Sequence, residues 1–172
     1  MGKDIDILWN YLYKGELQLL KEALDNLEVN INDTDRVGSN ILHRYALEVN
    51  NLNFNIEEVV NLFIEHGIDI NAKRKLAGDE LTALHIAVVR MSYELCKVLL
   101  NKGAQIDERE KHGNTPLWLA AMNYRGREEM GRIIKLLFEH GANPNIENET
   151  GNSPLDVAKK LKGSDLIQFF VK

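Results

Sequence analysis

The hydrophobic positions of this 172-residue chain fall into two alternating patterns. One is short, a polar cap followed by apolar and small residues: GSNILHRYA (38–46), ELTALHIAV (80–88), GNTPLWLAA (113–121) and GNSPLDVAK (151–159). The other is an apolar run that stops at a glycine: VVNLFIEHGIDIN (59–71), CKVLLNKGAQID (96–107) and IIKLLFEHGANPN (133–145). Apolar residues recurring every three or four positions predict helices buried along one or two sides. The chain therefore reads as a succession of short helix pairs joined by polar turns.

The pairs repeat. The aligned leucines Leu42, Leu84, Leu117 and Leu155 are spaced by 42, 33 and 38 residues. A base period near 33 with insertions is the mark of stacked repeats. The extra residues fall at VNNLNFNI (49–56), YRGREEM (124–130) and the loop KRKLAGDEL (73–81). Thr82, Thr115 and Ser153 suit helix N-caps, because their hydroxyls accept orphan backbone N–H groups. Pro116 and Pro154 follow at the first helical position, where no N–H is needed. Ala87, Ala120 and Ala158 let helices approach closely, and Gly67, Gly103 and Gly141 end the second helices in a left-handed conformation. The Asx-rich exits, Asp69 and Asn71, Asp107, Asn143 and Asn145, suit turns.

T-P-L-x-x-A-A, an apolar helix and then h-G-A-x-x-N resembles the ankyrin repeat, and the resemblance covers essentially the whole chain. It implies an all-α solenoid of helix-turn-helix units with projecting β-hairpin-like finger loops. One domain, 1–172, would hold about five repeats, near 1–34, 35–72, 73–109, 110–147 and 148–172. Residues 5–33 read as a degenerate starter, with KGELQLLKEAL (14–24) as its second helix and VNIND (29–33) as its exit. Residues 148–171 read as a last repeat that stops inside its second helix. The second repeat departs from the pattern, with Asn40-Ile41 for Thr-Pro and Arg44-Tyr45 for Leu-Ala. Tyr45 is too large for an alanine slot, so this repeat is expected to pack differently, with 49–56 as compensation.

Composition narrows the function. Hydrophobic residues are 44% and charged residues 27%, with a net charge of −5 and a pI near 5.6. No global basic field draws the chain to nucleic acid or an anionic membrane. The single cysteine, Cys96, forms no internal disulfide and no Cys-rich zinc site, which fits a cytoplasmic location. The N-terminus lacks the apolar core of a signal peptide. Asp6 stands where a myristoylation signal wants Ser or Thr. No run is long enough to span a membrane.

No catalytic motif is present: no GxxxxGK[ST], HExxH, GxSxG or GxGxxG after a strand. His43 and His85 take a repeat position where an ankyrin histidine makes a structural hydrogen bond. His66 and His140 sit at helix C-termini, where positive charge meets the dipole. His112 falls on a finger tip. Cys96 lies in an apolar ladder and reads as a buried, inert thiol. Glu128-Glu129 and Asp79-Glu80 read as solvated loop pairs. The chain is expected to be non-catalytic and to use no cofactor or metal.

The resemblance implies a protein partner, held on the concave face by finger tips and first helices. The candidate contacts are Arg36, Arg74, Lys75, Arg90, Arg109, Lys111, His112, Met122, Asn123 and Glu149. Val37, Ser39, Leu76, Asp79, Glu80, Asn114, Glu147, Thr150 and Asn152 complete the fingers; Glu48, Val89 and Lys160 complete the helices. Trp118, Tyr124 and Arg125 have the residue types of interface hot spots. Trp118 also reads as a space-filler between first helices, and 124–130 as a loop the scaffold does not require. The leading functional reading is a monomeric binding module, such as an immunity protein covering a basic toxin domain. A regulatory scaffold, a host-directed effector, a viral decoy and an enzyme built on the repeats are the alternatives. Poxvirus-type ankyrin proteins share the Asn-rich, imperfect repeats, while the short chain without an added C-terminal domain points away from them.

Overall fold

The computed structural model describes residues 3–26, 29–75, 78–161 and 165–170. Leu76 and the Met1-Gly2 dipeptide lie outside the described residues. Helices α1 (Lys3–Lys14) and α2 (Leu17–Asp25) open the chain, and α3 (Ile41–Glu48) and α4 (Ile56–Glu65) follow. Next come α5 (Ala83–Val89), α6 (Tyr93–Asn101), α7 (Pro116–Asn123) and α8 (Glu128–Glu139). The last are α9 (Pro154–Lys160) and a 3-10 turn at Asp165–Phe169.

The caps form as their residue types dictate. Thr82, Thr115 and Ser153 accept the backbone N–H three residues on, from His85, Trp118 and Asp156. Asn40 does the same for His43, so the missing Thr-Pro leaves α3 capped. Gly67, Gly103 and Gly141 close the second helices at φ of 81°, 87° and 89°. Odd-numbered helices pack side by side from α1 to α9, while α4, α6 and α8 stack behind them. One core runs through the stack, with Leu8, Leu42, Leu84, Leu99, Leu117 and Leu137 all buried. Among the described residues there is no strand, and the fingers are tight turns.

The two irregular repeats each absorb their departures by local packing. Tyr45 is fully buried and meets Phe63 of α4 edge to face, with ring centroids 6.1 Å apart at 88°. The stretch 49–56 gives a 3-10 turn at Val49–Asn51, and Asn55 caps α4. Asn50 Nδ2 donates to Arg90 O of the next repeat at 2.9 Å.

Residues 124–130 are scaffold rather than a spare loop. Glu128 and Glu129 form the first turn of α8, and Glu129 pairs with Arg132 at 2.9 Å. Met130 is fully buried, and Tyr124 is only 4% exposed. The Tyr124 hydroxyl donates to Asp165 Oδ1 at 2.7 Å, and its ring packs edge-on against Phe169 at 5.4 Å. Gly131 admits Phe169, whose Cζ would stand 2.9 Å from an added Cβ. The extra residues thus build the seat on which the 165–169 turn rests.

Candidate partner-binding face

Each finger is a turn held by its own side chain. Asp35 Oδ1 accepts from Val37 N and Ser39 N, Glu110 Oε1 from His112 N and Asn114 N, and Asn148 Oδ1 from Thr150 N and Asn152 N. The acceptor spacing is the same in all three, because one carboxylate or amide oxygen satisfies two turn N–H groups. Arg74 holds that place in the second finger and instead grips Asp79.

Neighbouring fingers are laced together. Lys111 N–H donates to Asp79 O at 3.1 Å, and Glu149 N–H to His112 O at 3.0 Å. Lys73 Nζ reaches Arg109 O at 2.8 Å, and Arg109 Nη2 reaches Glu147 O at 3.0 Å. Beneath them runs a buried chain from Glu110 through Asn114 to Asn148, with bonds of 2.6 and 2.7 Å. Gly113 leaves room for this lacing, since a Cβ there would sit 2.7 Å from Arg109 Nη2 and 3.0 Å from Glu149 N.

The histidines tie helices to fingers. In His43 and His85, Nδ1 faces the cap residue, while Nε2 reaches the next repeat at Ala72 O (2.9 Å) and Asn114 O (3.2 Å). Burial lowers the pKa of both, that of His85 to about 4, so the rings are neutral and serve structure. Trp118 occupies the same place in α7. Its ring is half-buried against the core, and its buried Nε1 has no hydrogen-bond partner among the described residues. His66 and His140 bond Nδ1 to their own helices and Nε2 to Asp25 and Asn101 of the preceding repeat. Burial raises the Cys96 thiol pKa well above its usual value.

The candidate contacts divide sharply. Arg36, Lys75, Arg90, Lys111, His112, Met122, Arg125 and Glu149 are exposed. So are Val37, Glu80, Val89, Glu147, Thr150 and Lys160. Arg109 is exposed but spends its guanidinium on Gly113 O and Glu147 O. Arg74 and Asp79 are half-buried partners of each other, which corrects the reading of Asp79 as a solvated loop acid. Asn123 is half-buried and bonds Leu119 O of its own helix, and Glu48 and Asn152 are also half-buried. Tyr124, Ser39 and Asn114 are buried in scaffold packing, so none of them offers a side chain to a partner as expected.

Two residues, the exposed Tyr13 and the half-buried Leu47, escaped the sequence reading. Tyr13 of α1 is 74% exposed, and it stands where Val89 (47%) and Met122 (43%) stand on α5 and α7. The register follows from matching turns: Gly15 N bonds Leu12 O and Glu16 N bonds Tyr11 O, as Met91 N bonds Val88 O and Ser92 N bonds Ala87 O. Leu47 of α3 holds the same register and is half-buried. An apolar row, Tyr13, Leu47, Val89 and Met122, thus crosses four neighbouring first helices. A cleft of about 510 Å³ joins it to the first finger, lined by Trp9, Arg36, Val37, Arg44, Leu47 and Glu48 among others.

Among the described residues, no group of three or more His, Cys, Asp or Glu could hold a metal, and no helix is long and apolar enough to cross a membrane. Stacked helix pairs with laced turn tips define a repeat scaffold whose individual features lie on a long surface. The family description "Ankyrin repeats (3 copies)" matches residues 8–110 and 50–148, and the chain belongs to the ankyrin-repeat family. Ankyrin repeats are protein-interaction modules and generally non-catalytic.

An ankyrin repeat protein of fowlpox virus is 37% identical over 132 residues, which is 73% of this chain and 37% of that protein. The intracellular phospholipase A2 of Caenorhabditis elegans is 30% identical over 139 residues, 79% of this chain and 12% of the enzyme. The nuclear factor NF-kappa-B p105 subunit of Gallus gallus is 36% identical over 108 residues, 62% of this chain and 10% of that subunit. The chain spans at most 37% of the length of these relatives. Likeness to a poxvirus ankyrin repeat protein is thus present despite the short chain.

Proposed function

We propose that this chain is a non-catalytic module that binds a partner protein with its finger tips and first-helix face. The apolar row carries the reading. Single exposed apolar residues are ordinary on any surface. Three exposed and one half-buried at one register on four neighbouring first helices, beside a cleft and a line of finger tips, form a platform. The histidine and Asx networks supply rigidity, so little ordering is needed when a partner docks. The test is retention of a partner captured from the source cell. Val89→Asp and Met122→Asp should abolish it, while Glu57→Lys and Glu58→Lys should leave it intact. The reverse pattern would refute the reading.

A second reading, an inhibitor covering a basic toxin domain, is favoured by the placement of acid. Glu57, Glu58 and Glu65 of α4 line a groove of about 650 Å³ with Gln18 and Lys21 of α2. The excess acid of the chain lies on α2, α4 and α8, whereas α5 and α7 carry no charged residue. A basic partner would be steered to that outer side. Its capture by the wild type and loss on Glu57→Lys would support this version.

A further inference from the structure

We infer, on the strength of the first reading above, that the partner lays an amphipathic helix with acidic flanks across the first helices. The row fixes the shape. Packed helices lie about 8–10 Å apart, so Tyr13, Leu47, Val89 and Met122 recur at about that interval. A helix presents residues i, i+7 and i+14 on one side at about 10.5 Å steps. A strand rises about 3.3 Å per residue and turns every second side chain away, giving steps of about 6.6 or 13 Å on one face. The helix matches the row and the strand does not.

The charges fix the flanks. Lys14 and Arg90 directly follow Tyr13 and Val89 at the helix ends, and Arg36, Lys75 and Lys111 stand on three successive finger tips. All five are exposed, and none has an ion-pair partner among the described residues. The acids between them are largely engaged: Asp6 by Arg44, Asp79 by Arg74 and Glu48 by Asn51. Glu80 interrupts the basic line at the second finger, and Glu147 and Glu149 end it at the fourth. The cleft lined by Arg36, Val37 and Leu47 joins the first finger to the row at Leu47. An apolar strip bracketed by cations selects apolar residues flanked by Asp or Glu, although the chain as a whole is acidic.

A displayed library of helical peptides tests this on the full chain. Leucines are fixed at i, i+7 and i+14, and flanking positions are randomised among Glu, Lys and Ser. Selected peptides should be enriched in Glu, and their binding should perturb amides of α1, α3, α5 and α7. Affinity should fall about tenfold or more in Val89→Asp and in the pair Lys75→Glu, Lys111→Glu, with circular dichroism unchanged because all three positions are exposed. Binders on this face that are rich in Lys, or indifferent to charge, overturn the inference and leave the face itself standing. Binders that perturb only α2 and α4 overturn both, and a library without binders overturns the inference.

Discussion

His85 makes the stability of the array depend on pH in a calculable way. The ring is fully buried, and burial lowers its pKa from 6.5 to about 4. As pH falls below 6.5 the unfolded chain takes up a proton that the folded chain refuses, so the unfolded state gains. Stability is fully present above pH 6.5 and drains away as pH falls toward 4. Each pH unit of difference is worth 1.36 kcal/mol, so about 3 kcal/mol is lost between pH 7 and pH 4. That is a large part of the roughly 5–15 kcal/mol that holds a domain folded. Urea midpoints by circular dichroism at pH 7, 6, 5 and 4.5 read the loss. His85→Gln keeps a capping-box residue three positions after Thr82 but cannot titrate. It should be less stable at pH 7, through the lost link to Asn114 O, and its midpoint should fall less with pH. Superimposable pH slopes for the two proteins would refute the reasoning. So would a His85 ring signal titrating near 6.5 in the folded state.

Other outcomes separate scaffold from surface. Tyr124→Ala should cost about 3 kcal/mol or more, because it empties the seat of Phe169 and Asp165, whereas Arg90→Ala should stay within about 0.5 kcal/mol; equal urea midpoints would contradict the burial of Tyr124. Glu80 sits at φ 55° where the other fingers place Gly38, Gly113 and Gly151, so Glu80→Gly should stabilise the fold by about 1 kcal/mol and raise the midpoint. A lowered midpoint counts against strain at that turn. Gly103→Val meets no atom within 4 Å and suffers only at the backbone, where φ is 87°. It should lose at least about 1 kcal/mol while binding per folded molecule stays unchanged; selective loss of binding would place Gly103 in the site.

Much of the fold is legible in the sequence because repeats state their rules several times. Thr115, Pro116, Leu117 and Ala120 each have a local physical reason, and the same reasons recur at Ser153, Pro154 and Ala158. Asn40 shows that chemistry matters more than the letter, since it caps α3 as threonine would. The failures come from contacts between segments far apart in sequence. Nothing near Tyr124 announces that Asp165 and Phe169, some forty residues on, will cover it. Arg74 and Arg109 looked available because the sequence cannot show that Asp79 and the Glu147 carbonyl take them. Tyr13 and Leu47 were missed for another reason. The first repeat lacks the Thr-Pro-Leu signature, so its register emerges only from the matching turns at Gly15 and Met91.

If the finger-and-first-helix face is the working surface, a bound partner shields it from solvent. Hydrogen–deuterium exchange of the chain, alone and with its captured partner, tests it most directly. Exchange should slow at residues 9–14, 35–48, 74–90 and 109–123, with α4, α6 and α8 unchanged. Slowed exchange confined to α2 and α4, with the fingers unaffected, would contradict it.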